Sequence, residues 1–231
     1  MNLFFAQHLY LLSSLYFLLF WIVFYISFRK DKEIQKKILI VSFILMIDTP
    51  FVEHINLADW WSPTFILNTF FHIEDLLFGF GITGTTLGIY FWVSRRVRSL
   101  INDQAVFSNF YRKIVLIATI FIIFVPFYLF QIPSFYTEIM CIIFLCASVF
   151  ARIPAMILPS ITTGIILMLI ILPGYFLGSY LHPGWIQMYW KLSGWPGHLF
   201  FTIPIGEYIY YIFTGLFISA FQELFFANRK I

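Results

Sequence analysis

The sequence predicts an all-α, polytopic membrane helix bundle of about seven transmembrane helices. Three observations carry that prediction. Apolar residues make up 61% of the chain and charged residues 11%, against roughly 45–50% and about 25% in soluble domains. The apolar residues fall into seven runs, each near the length a helix needs to cross a hydrocarbon core of about 30 Å. Of the 14 basic residues, 13 gather in alternate connecting segments.

The runs lie at roughly 7–28, 38–54, 64–93, 113–131, 136–151, 155–178 and 199–226. The N-terminal stretch Met1–His8 has no basic n-region and is followed by no small-residue cleavage site. It reads as the start of a retained helix, not as a signal peptide. The second and fifth are short, which predicts tilted or partly irregular spans. The third and seventh are long, which predicts tilt. A six-span version, with 136–151 re-entrant, is the alternative. Arg29, Lys30, Lys32, Lys36 and Lys37 occupy the first loop, and Arg95, Arg96, Arg98, Arg112 and Lys113 the third. Arg152 lies in the fifth, and Arg229 and Lys230 in the tail; the opposite loops hold Lys191 alone. Positively charged segments stay inside. That places the N-terminus outside and the C-terminus inside, with the cytoplasmic membrane as the expected location.

The third and seventh spans resemble one another. Each carries acids within an apolar stretch, Glu74 and Asp75 in the third and Glu207 in the seventh, and each follows a tryptophan-rich outer loop. Trp60 and Trp61 precede one, and Trp185, Trp190 and Trp195 the other. Such tryptophans form interfacial belts; their matched placement also makes Trp61 and Trp195 candidates for a pocket mouth. Both acidic spans run from outside to inside, so two three-helix units of like orientation need a connecting helix between them. The predicted organisation is two parallel three-helix repeats, 1–98 and 136–231, joined by a connector over 99–135. A site is expected at the repeat interface.

An acid inside a span is costly unless neutral, paired or facing a cavity. Glu74 and Asp75 fall about ten residues into the third run, Glu207 about eight into the seventh, and Asp48 about ten into the second. At ~1.5 Å per residue all four sit near mid-membrane and are expected to share one cavity. A carboxyl in such a place keeps its proton at neutral pH, while another held differently stays ionised, which separates an acid from a base. Glu74 and Glu207 are the expected acid–base pair, in either order, with Asp75 and Asp48 tuning or replacing one of them. His72 lies one turn before Asp75 and could hold it, or form a plain polar pair on the helix face. Tyr210 and Tyr211, one turn beyond Glu207, could bond it or face a cation.

These residues resemble the integral-membrane lycopene cyclases, whose two repeats each carry a Pro-x-Glu-Glu signature before an aromatic helix. The first copy here reads His72-Ile73-Glu74-Asp75-Leu76-Leu77-Phe78 and the second Pro204-Ile205-Gly206-Glu207-Tyr208-Ile209-Tyr210. Asp48 and Trp61 are similar to the family's Asp in the second helix and its Trp before the motif. His72, Asp75 and Gly206 depart from the signature. The resemblance implies proton-initiated cyclisation of a lycopene-type isoprenoid end without redox change or cofactor. It implies Glu74, Asp75, Glu207 and Asp48 as catalytic groups, and His72, Trp61, Trp195, Tyr210, Tyr211 and Phe78 around the substrate. Expected partners are the bilayer and an isoprenoid, with a second copy of the chain or other carotenoid enzymes as further candidates. A proton-coupled transporter, or a non-catalytic membrane subunit that binds an apolar ligand, is the alternative.

Other chemistries find no pattern. His8, His54, His72, His182 and His198 lack metal-ligand spacing, so no metal site is expected. Cys141 and Cys146 sit in an apolar run as buried thiols. Gly79-Phe80-Gly81-Ile82-Thr83-Gly84 follows no strand, and reads as close helix packing instead of a dinucleotide loop. The basic clusters flank spans, which argues against a nucleic-acid partner.

Overall fold

The structure, a computed structural model, describes residues 8–66, 69–100, 107–192 and 194–226, apart from the side chains of 96 and 98–100. The segment 1–7, and Arg229 and Lys230 of the tail, lie outside the described residues. The chain is an all-α bundle. Its helices are α1 (Leu9–Ser27), α2 (Lys32–Asp59), α3 (Ile73–Leu100), α4 (Asn109–Phe130), α5 (Ser134–Phe150), α6 (Ile157–Leu181), the short α7 (Trp185–Tyr189) and α8 (Ile205–Phe226). A two-stranded hairpin, β1 (Leu199–Phe200) and β2 (Ile203–Pro204), precedes α8. Six helices are long and apolar enough to cross a membrane, and α5 is a shorter apolar one. Their outward faces carry large apolar side chains such as Leu129, Leu158 and Phe121, as lipid-facing helices do.

Helix starts follow local chemistry. Asp31 accepts a hydrogen bond from Ile34 N at 3.1 Å and caps α2, and Ser108 accepts one from Tyr111 N at 3.2 Å and caps α4. Asp59 closes the start of α5, with Ser134 N donating to Oδ2 at 2.8 Å and Ser134 Oγ to Oδ1 at 2.5 Å. A carboxylate there satisfies an orphan backbone donor and faces the positive end of the helix dipole.

Three boundaries differ from the sequence reading. The second span is not short: α2 runs 28 residues, through Pro50. The third span starts at Ile73 instead of 64, because Glu74 and Asp75 are first-turn acids that favour a helix N-terminus. The seventh starts at Ile205 instead of 199. Its first residues form the hairpin, whose loop pair Phe201 and Thr202 both have positive φ, 46° and 69°. Positive φ at both loop positions is the type I′ pattern that suits a two-residue hairpin. Pro204 then holds Ile203 extended and opens the helix.

Packing centres on α3, which lies against α1, α2, α6 and α8; α8 also packs on α6 and α5, and α4 on α5. Glycines permit the closest approaches. A Cβ at Gly215 would lie 2.3 Å from Gly164 Cα, so α6 and α8 touch backbone to backbone. A Cβ at Gly81 would lie 2.9 Å from the Leu18 backbone on α1, and one at Gly79 would collide with Thr49 on α2. The glycines of 79–84 therefore serve helix packing.

Candidate functional site

Two distant loops build the site. The segment after α2 pairs with the one after α7: Ser62 N donates to Tyr189 O at 2.7 Å, Lys191 N donates to Trp60 O at 2.8 Å, and Trp61 bridges Trp190. Lys191 Nζ also donates to the carbonyls of Leu57 and Ala58, at 2.8 and 2.7 Å, which closes the C-terminal end of α2. This pairing carries Trp60 and Trp190 over the start of α8.

There they meet Glu207. Its Oε1 accepts from Trp60 Nε1 at 3.0 Å and from Trp190 Nε1 at 2.8 Å. Its Oε2 bonds the Tyr175 hydroxyl, which also lies 3.5 Å from the Tyr211 hydroxyl. Indole N–H groups only donate, so an oxygen that takes two of them carries no proton itself. The carboxyl is buried, 6% exposed, and both of its oxygens are hydrogen-bonded. Gly206 makes this geometry accessible: a Cβ there would lie 2.3 Å from the Trp60 ring. Gly206 gives its space to an indole that bonds the neighbouring acid.

Glu74 and Asp75 form a separate cluster, each 1% exposed. Asp75 Oδ1 accepts from Tyr10 OH at 2.8 Å, and Oδ2 lies 2.9 Å from His72 Nδ1. The His72 ring stacks on Phe65 with centroids 3.4 Å apart. Glu74 Oε1 accepts from Ile66 N at 2.8 Å, which ties the preceding loop to α3. Ser14 Oγ donates to the Glu74 carbonyl at 3.0 Å and docks this start on α1.

Two apolar cavities adjoin these groups. The smaller, about 170 Å³, is walled by Tyr10, Trp60, Trp61, Trp190, Tyr175, Tyr211 and Glu207, among others. The larger, about 560 Å³, runs between α2, α4, α5 and α8, past Asp48, Thr119, Glu138 and Phe217. Glu53, Phe78 and Tyr210 line both.

The four expected acids therefore do not share one cavity. Glu207 lines the smaller, Asp48 the larger, and Glu74 and Asp75 line neither. Nor do the motif acids sit mid-helix: Glu74, Asp75 and Glu207 are all in first turns. Asp48 is exposed at the larger cavity. Tyr210, Tyr211, Trp61 and Phe78 are wall residues, His72 acts on Asp75, and Trp195 is exposed in the turn Trp195–Gly197.

The sequence reading missed Trp60, Trp190 and Tyr175 as ligands of Glu207, and it missed Glu53 and Glu138. Both glutamates are buried, and in each the Oε1 atom has no hydrogen-bond partner among the described residues. No lysine or arginine pairs with Glu53, Glu138, Glu74 or Glu207 among the described residues. A buried carboxyl with no cation and an unpartnered oxygen is stable only when neutral. One signal for Glu53 was available: it lies five residues after Asp48 on the same span. Groups of three side chains able to hold a metal ion are absent among the described residues. No family model matches the chain, nor does any curated protein or solved structure.

Proposed function

We propose that the chain is a membrane isoprenoid cyclase of the lycopene type. The observation that carries this reading is Glu207, a buried acid held by two indoles and a phenol in the wall of an apolar, aromatic cavity. Glu53, buried beside the same cavity without a cation partner, is the proton donor. Its proton adds to the terminal double bond and leaves a tertiary carbocation. The next suitable double bond attacks that centre, closes the ring and moves the charge onto the ring. Glu207 then removes a proton from the adjacent carbon, and a ring double bond forms. One proton enters and one leaves, so mass and oxidation state are unchanged. The rings of Trp60, Trp61, Trp190 and Tyr211 stabilise the cation through their π-faces, each by about 0.5–2 kcal/mol.

Asp75 is a positioning residue: it holds the Tyr10 hydroxyl, and His72 holds Asp75. Glu74 anchors the loop before α3. The split of basic residues supports N-terminus outside and C-terminus inside, in the cytoplasmic membrane. The site then lies toward the outer ends of α3 and α8. Expression in lycopene-producing cells tests the reading. The expected product has unchanged mass and shorter-wavelength absorption, and it disappears in Glu207→Gln. Unaltered lycopene beside a well-expressed, membrane-inserted chain would count against it.

A further inference from the structure

We propose that the two cavities form one site for an extended, uncharged polyprenyl or polyene chain, with Glu53, Phe78 and Tyr210 as the collar through which it passes. These three side chains line both cavities, so each cavity begins where the other ends. The smaller, about 170 Å³, falls below the roughly 300–1,000 Å³ of an ordinary small-molecule site. It has room for an end group only. The larger, about 560 Å³, follows α8 from Tyr210 past Thr214 and Phe217 to Phe226, a run of about 24 Å at ~1.5 Å per residue. A run that long suits a tail better than a compact molecule.

The walls also specify charge. Neither cavity is lined by a lysine or an arginine among the described residues, whereas Asp48, Glu53, Glu138 and Glu207 are all present. An anionic head, a diphosphate or a carboxylate, would be desolvated there and finds no counter-charge. Glu53 and Glu138 each keep one buried, unpartnered oxygen, so these walls stay neutral against an apolar chain. The occupant is a neutral hydrocarbon or prenol, not a prenyl diphosphate or a fatty acid. The inference rests on the cyclase reading only where it assigns the reacting end to the smaller cavity.

The test is equilibrium binding to the purified full chain in detergent, read by native mass spectrometry. The probes are geraniol, farnesol, geranylgeraniol and solanesol, with geranylgeranyl diphosphate as the charged counterpart. Affinity should climb with chain length, and the diphosphate should bind at least about tenfold more weakly than its alcohol. Thr214→Trp fills the larger cavity. It should weaken the long prenols by about tenfold and leave geraniol within about twofold. Thr119→Phe, on the opposite wall, should repeat the pattern if Thr214→Trp does not fold. Length-independent affinity, tighter binding of the diphosphate, or equal loss of short and long prenols in a folded variant would overturn the proposal. Length-dependent binding without cyclised product in pigment assays would leave the chain site standing and remove the cyclase reading. Cyclised product without length dependence would do the reverse.

Discussion

Glu207 concentrates the proposed chemistry in one side chain. Three donors from three parts of the chain converge on it, and glycine precedes it because an indole needs the space. Glu207→Gln keeps the shape but cannot serve as a base. Product formation should drop by about 10²–10⁴-fold, with helical circular dichroism unchanged. Glu53→Gln should fall by a similar factor, whereas Glu74→Gln, away from both cavities, should lose stability more than rate; single-turnover assays on purified variants separate the two effects. Gly206→Ala should push Trp60 off Glu207 and cost about 1–3 kcal/mol, measured as a lower thermal midpoint with altered tryptophan fluorescence. At this scale the sequence was partly legible. Buried acids in apolar runs marked Glu74, Asp75 and Glu207 as costly residues. Trp60 and Trp190 lie 147 and 17 residues from Glu207. No local pattern reveals such partners, because loop pairing brings them together.

Helices α3 and α8 do related jobs at the element scale. Each opens on a buried acidic first turn, and each packs its length on neighbouring helices through small residues. Contact between α6 and α8 depends on Gly164 and Gly215, where an added Cβ has no room. Gly215→Leu should destabilise the bundle by about 1–3 kcal/mol or more, seen as loss of folded protein in detergent extracts. Gly174→Ala on the same α6 should be tolerated in that assay, since a Cβ there meets nothing nearer than 4.0 Å. Apolar length located all seven runs, and the glycine spacing correctly signalled packing. The starts of α3 and α8 were misplaced because apolar coil and hairpin residues count toward hydropathy as helix residues do. Acids read as mid-span were helix-start residues, whose first-turn preference was the stronger signal.

For the whole molecule, the consequence is a bundle whose interior is apolar but not inert. Asp48, Glu53, Glu138 and Glu207 line a smaller aromatic cavity and a longer apolar one, and the two cavities meet at Glu53. The outward faces carry large apolar side chains, and under the proposed function an apolar substrate would enter the interior from lipid without crossing water. Composition made the bundle legible. The cavities were not legible, since their walls draw on every long helix but α3 only through Phe78, Ile82 and Thr83. The most direct measurement is pigment analysis, by chromatography and mass, of lycopene-producing cells that express the native chain, Glu207→Gln and Glu53→Gln. The account predicts a product of unchanged mass and altered absorption from the native chain, and its loss in both variants at equal protein levels. Unaltered lycopene from the native chain, or full product from either variant, would contradict it.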